Sequence, residues 1–168
     1  GIGHYFAEYI EKELNVPVGI ISCNWGGKRV ESFLKKSYFY DGTDSMKKQI
    51  EVYDNYLQSL DMEEYERTFE TFVKKREDYM KEVHSDVFGD TKIVGVYAAA
   101  AKAHLNGCPI SPKGPYDGVS PSTLWDSMYS EIVPFPFKAM LWYQGESNVG
   151  DTDYTEKYLT FLRCIREE

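Results

Sequence analysis

Apolar positions along this chain follow two spacings, and each predicts a different element. Ile2, Tyr5, Phe6, Tyr9, Ile10 and Leu14 recur at three and four residues, which is the spacing of one helix face. They predict a helix over 2–14 that Asn15-Val16-Pro17 breaks. Val18-Gly19-Ile20-Ile21 is a short apolar run rich in β-branched residues, and it predicts a strand over 17–22. A turn at 23–28 leads into a short helical stretch from Val30 to Lys36, and Asp41-Gly42 marks a loop. From about Ser45 to Val83 charged residues dominate. Ile50, Tyr53, Leu57, Leu60, Tyr65, Phe69, Phe72 and Val73 keep the helical spacing there. Two helices parted near Asp61 fit this stretch, which reads as a solvated helical insertion.

Tyr97-Ala98-Ala99-Ala100-Ala101-Lys102-Ala103 predicts a helix over 94–105, because alanine is the best helix former. Gly107, Pro109, Pro112, Gly114, Pro115, Gly118 and Pro121 make 106–123 a long loop, and such loops are often functional. A short helix is expected over 124–132 and a second apolar strand over 137–143. The last helix, over 153–167, rests on Tyr154, Tyr158, Phe161, Leu162 and Ile165. The order of helix, strand, helices, strand, helix predicts a parallel sheet wrapped by helices in one domain, 1–168. The first helix has no capping residue before it and the last is still running at Glu168. With no initiator Met and no signal peptide, a fragment of a longer protein is expected.

The 168 residues are enough to bury roughly 70% of the unfolded surface. Fourteen Tyr and nine Phe argue for a packed interior. The net charge of −8, without a basic cluster, disfavours nucleic acid and anionic membrane surfaces as partners. No apolar run reaches the ~18 residues that span a bilayer. Cys23, Cys108 and Cys164 form no CxxC and the three His are scattered, so no zinc site is expected.

Candidate chemistry lies at the ends of the two apolar runs, since ligands in α/β proteins bind beyond the carboxyl ends of strands. The first run ends in Asn24-Trp25-Gly26-Gly27. Glycines there let backbone N–H groups approach a ligand and hold an oxyanion, or they serve a tight turn. The second ends in Gln144-Gly145-Glu146-Ser147-Asn148. A side-chain amide such as that of Gln144 can donate to a tetrahedral oxyanion, and Glu146 can orient a neighbour or bind substrate hydroxyls. Both residues can equally cap the next helix or satisfy buried backbone. Ser147 lacks the second glycine of a G-x-S-x-G elbow, and His4, His84 and His104 all precede it, against the usual Ser-acid-His order. Ser122 and Trp125 are candidates to line a substrate pocket, with packing the commoner role for the tryptophan.

Three ordered blocks resemble the sialate O-acetylesterases. They are Val16-Pro17-Val18-Gly19-Ile20-Ile21 with Trp25-Gly26-Gly27 and Glu31-Ser32, then Pro121-Ser122 with Leu124-Trp125, Met128 and Val133-Pro134-Phe135, and finally Leu141-Trp142-Tyr143-Gln144-Gly145-Glu146-Ser147-Asn148. The blocks cover about a third of the chain, and 35–118 matches only as a variable helical insertion. The resemblance implies an SGNH-type serine esterase with a flavodoxin-like three-layer α/β/α sandwich, incomplete in this chain. It implies removal of O-acetyl groups from sugars, with O-acetylated sialic acid as the leading substrate and no metal or organic cofactor. Gly26 or Gly27 and Gln144 would form the oxyanion site, Glu146 would support it, and Trp25 and Glu31 would shape it. The family's nucleophile lies in a GQSNM-like block and its histidine in a D.HP-like block. Neither block is present among these residues, so the segment alone is expected to be inactive. The family also implies an exported compartment. An acetylxylan-type esterase, a non-catalytic carbohydrate-binding domain and a hydrolase using Ser147 stand as alternatives.

Overall fold

The computed structural model describes residues 1–88 and 107–168. The helix expected over 94–105 lies outside the described residues. In chain order the elements are α1 (Ile2–Leu14), a 3-10 turn (Val30–Phe33), α2 (Ser37–Tyr40), α3 (Asp44–Ser59) and α4 (Met62–Phe88). They are followed by a π-helical turn (Trp125–Tyr129), α5 (Ser130–Ile132), a second 3-10 turn (Glu146–Asn148) and α6 (Tyr154–Glu167).

No strand occurs among the described residues, which corrects the expected α/β/α sandwich to a helical architecture. The segments 17–22 and 137–143 have no regular secondary structure. Most of their side chains are exposed, with Ile20 and Ile21 each at 53% and Tyr143 at 85%, while Trp142 packs inward. Strand propensity measures how well a side chain fits a pleated, half-buried surface. A strand also needs a neighbour to take its N–H and C=O groups, and no ladder forms among the described residues.

Local signals explain the helix ends. α1 stops at Asn15, which sits in the left-handed region at φ 51° while its N–H reaches Glu11 O at 2.9 Å. The break between α3 and α4 falls at Leu60-Asp61. Asp61 Oδ1 accepts the Glu64 N–H at 3.1 Å, and Glu63 and Glu64 lie in the first turn of α4, where acidic groups favour the helix dipole.

The chain divides into two compact units, Gly1–Glu51 with Pro121–Glu168, and Val52–Ser120. The first has an aromatic core. Phe161 is fully buried, with its ring 4.4 Å from Trp142 and 6.0 Å from Tyr129, and Phe33 lies 5.5 Å from both Tyr129 and Trp142. Burying a ring of this size contributes about 2–3 kcal/mol. In the second unit, tyrosines from the helices hold the proline- and glycine-rich loop. Tyr56 and Tyr53 donate to Lys113 O (2.8 Å) and Gly114 O (3.3 Å), and Tyr65 Oη accepts the Tyr116 N–H at 3.1 Å. Buried Asp117 accepts the backbone N–H groups of Gly114, Val119 and Ser120, so the loop is internally bonded as well.

Candidate functional site

The three motif blocks converge on Glu31 in the first unit. The 3-10 turn Val30–Phe33 buries Glu31 to 2% exposure. Its Oε2 accepts a hydrogen bond from Asn148 Nδ2 at 2.8 Å, which joins the first block to the third. Its backbone carbonyl accepts the Ser122 N–H at 3.1 Å, which joins the first block to the second.

Asn148 is the junction between the first and third blocks. It is buried and uses all of its amide capacity. Oδ1 accepts from Val30 N (3.0 Å) and Gln144 Nε2 (2.7 Å), while Nδ2 donates to Glu31 and to Asp151 Oδ2 (3.0 Å). Gln144 donates its second amide hydrogen to Lys28 O at 2.9 Å, and its Oε1 accepts from Tyr154 Oη at 3.0 Å. Both Gln144 donors are thus committed within the protein. Gly145 makes this turn possible at φ 151°, a conformation that favours glycine.

Five charges surround this junction. The Lys157 ammonium, 6% exposed, lies 3.0 Å from Glu31 Oε1, 2.9 Å from Asp151 Oδ2 and 3.0 Å from Asp153 Oδ1. Arg29 bonds both Asp151 oxygens, at 2.8 and 2.5 Å, and donates to the Ser147 carbonyl at 3.3 Å. Asp153 also accepts the hydroxyls of Thr43, at 2.7 Å, and Ser45. Burial pushes the Asp151 carboxyl up, but hydrogen bonds from Asn148, Lys157 and Arg29 outweigh it and bring it down to about 2. Asp153 is likewise raised by burial and pulled down to about 2 by Ser45, Thr43 and Lys157. Burial lowers the Lys157 ammonium, and its three carboxylate partners more than reverse that. The lysine occupies the space between the three carboxylates. No group of His, Cys, Asp or Glu suited to a metal occurs among the described residues.

The other expected residues sit differently. Gly26 and Gly27 are exposed with open space beside each, and Gly27 has φ +69°. Trp25 is 51% exposed with the Lys28 ammonium 5.6 Å above its ring. Glu146 is exposed at the start of its 3-10 turn. Ser122 is buried at φ +64°, and its hydroxyl has no hydrogen-bond partner among the described residues. Such a backbone costs of order 1–3 kcal/mol in a non-glycine residue. The bonds from Ser122 N to Glu31 O and from Asp126 N to Ser122 O hold it there. Trp125 is buried and stacks on Tyr129 at 6.4 Å, a packing position. Ser147 offers its backbone carbonyl to Arg29, and His4 lies on exposed α1 against Tyr5.

Arg29, Asp151, Asp153 and Lys157 carry the charge of the site, yet none was singled out from the sequence. The available signal was Asp153 and Lys157 at i,i+4, a pairing that ordinarily marks a solvated helix face. No helix among the described residues is long and apolar enough to cross a membrane. Comparison with protein-family models, with curated proteins and with solved structures finds no match to this chain.

Proposed function

We propose that these residues form part of a carbohydrate O-acetylesterase, with O-acetylated sialic acid as its substrate. The observation that carries the reading is the convergence at Glu31. Three blocks resembling one esterase family, far apart in sequence, meet there through Asn148 and Ser122. The third block reaches the buried carboxylate of Glu31 and the second its backbone carbonyl, so one residue of the first block is bonded to both of the others.

The reaction is acyl transfer. A serine oxygen bonds to the acetyl carbon while a histidine takes its proton, and that proton passes to the departing sugar oxygen. Water then attacks the acyl-enzyme and releases acetate. No block of the family's serine or histidine kind stands among these 168 residues. What this chain supplies is the side of the site that meets the developing negative charge. The exposed Gly26-Gly27 turn offers backbone N–H groups, a kind of donor worth about 3–4 kcal/mol when well placed. Gln144 holds the opposite loop, and it becomes an oxyanion donor only by releasing Lys28 O or Asn148 Oδ1. Trp25 offers an apolar face to the sugar, and Glu146 a carboxylate to its hydroxyls.

The test is acetate release from an O-acetylated sialic acid. The natural protein that contains these residues should turn it over, and the 168-residue chain should stay at background. Turnover by the short chain would place the nucleophile within it. Half-exposed Trp25 also suits a glycan-holding domain without catalysis. That reading predicts sugar binding by the natural protein with no acetate released.

A further inference from the structure

We propose that Lys157, outside all three motif blocks, is a positioning residue that holds the first and third blocks in register. It does so by directing one N–H to each of Glu31, Asp151 and Asp153.

An ammonium has three donors on a tetrahedral nitrogen. Here each finds one carboxylate, at 3.0, 2.9 and 3.0 Å. The three carboxylates come from two stretches of chain. Glu31 lies in the first block, Asp151 follows the third, and Asp153 stands at the start of α6. Asp153 in turn receives Thr43 and Ser45 from the beginning of α3. The ammonium therefore ties α6 to two other stretches, 29–31 and 151–153, and Asp153 links a third, 43–45, one bond further out. Glu31 and Asp151 each pass the constraint on to Asn148, which receives the Val30 N–H and Gln144.

Desolvation makes a buried ion pair weak evidence for stability alone, because an apolar replacement is often as stable. Its distinctive effect is to favour one arrangement of its partners. Three carboxylates against Lys157 and Arg29 leave one negative charge in excess, so removing Lys157 would drive the acidic segments apart. Arginine is no substitute here. Its planar fork suits one or two carboxylates in its own plane, and does not match three around a point.

The consequence for catalysis rests on the esterase reading, but the test does not. Amide hydrogen exchange is compared in the 168-residue chain and in Lys157→Met. The amides of Val30 and Asn148 should exchange at least about tenfold faster in the variant, corresponding to about 1.4 kcal/mol of local opening. Those of Phe161 and Cys164, in the core of the same unit, should keep their rates. Unchanged exchange at Val30 and Asn148, or equal acceleration at all four, would overturn the proposal. Lys157→Arg should leave both loops fast, and full protection in that variant would reduce the tripod to simple charge balance. If Lys157→Met fails to fold, the unaltered chain decides. Its Lys157 ammonium hydrogens should exchange with water far more slowly than those of surface lysines such as Lys81, and equal rates would overturn the proposal. Exchange rates do not depend on acetate release, so failure of this inference and failure of the esterase reading are separately visible.

Discussion

Asn148 donates to Glu31 at 2.8 Å across 117 positions of sequence, and both residues are 2% exposed. Asn148→Ala would strand the Val30 N–H and one oxygen of Glu31 in a buried setting. The expected loss is about 2–3 kcal/mol, the cost of leaving such groups unpaired. It should appear as a lower urea midpoint with an unchanged slope. Asn148→Asp should cost more, since its second oxygen would face the carboxylates of Glu31 and Asp151. A loss below about 0.5 kcal/mol for both variants would remove Asn148 from its place as the junction.

Acid sensitivity follows from Asp151 and Asp153. Both carboxyls sit near 2 in the folded chain, against an ordinary value of 3.8. As pH falls, the unfolded chain binds these protons first. The stability they contribute is fully present above about pH 4 and is lost as pH drops through about 2. Each proton adds at most about 1.4 kcal/mol per pH unit to the slope. Asp151→Asn should be less stable than the parent chain at neutral pH, yet lose less between pH 4 and pH 2. Parallel curves for the two proteins would contradict the assignment.

The Gly26-Gly27 turn allows a comparison of neighbours. A Cβ at either glycine meets nothing within 4 Å, but only Gly27 has a positive φ. Gly27→Ala should cost about 1–2 kcal/mol through backbone strain. Gly26→Ala should change stability by less than about 0.5 kcal/mol. Thermal unfolding of the two variants separates them, and equal losses would mean that the turn is not shaped as described.

In the second unit, a Cβ on Gly114 would fall 2.4 Å from the Tyr65 ring. Gly114→Ala therefore has to displace that ring and break the Tyr116 N to Tyr65 Oη bond. A loss of about 1–3 kcal/mol is expected from such overpacking. In a Tyr65→Leu background the same change should cost clearly less, which a double-mutant cycle by urea unfolding would read.

The helices were legible wherever an apolar stripe ran at helical spacing. Residues 2–14, the stretch around Asp61 and 153–167 all carry such stripes, and α1, α3, α4 and α6 occupy them. The sheet was inferred from apolar runs over 17–22 and 137–143, and it does not form among the described residues. Local composition reports a preference for pleating, whereas a strand is a pairing between segments, which no single stretch encodes. The same distinction governs the site. Gln144 was visible because it ends an apolar run beside Gly145, and Glu31 only through the resemblance of its block. Lys157 was not, because a lysine four residues after an aspartate usually points to water. What sets it apart is burial among three carboxylates, two of them from outside its own helix, Glu31 and Asp151.

Acetate release from an O-acetylated sialic acid by the natural protein, compared with its Asn148→Ala and Ser147→Ala variants, tests the central claim most directly. The account predicts turnover in the unaltered protein, a fall of at least about tenfold for Asn148→Ala, and little change for Ser147→Ala. No turnover in the unaltered protein, or loss of activity with Ser147→Ala while Asn148→Ala keeps it, would contradict the account.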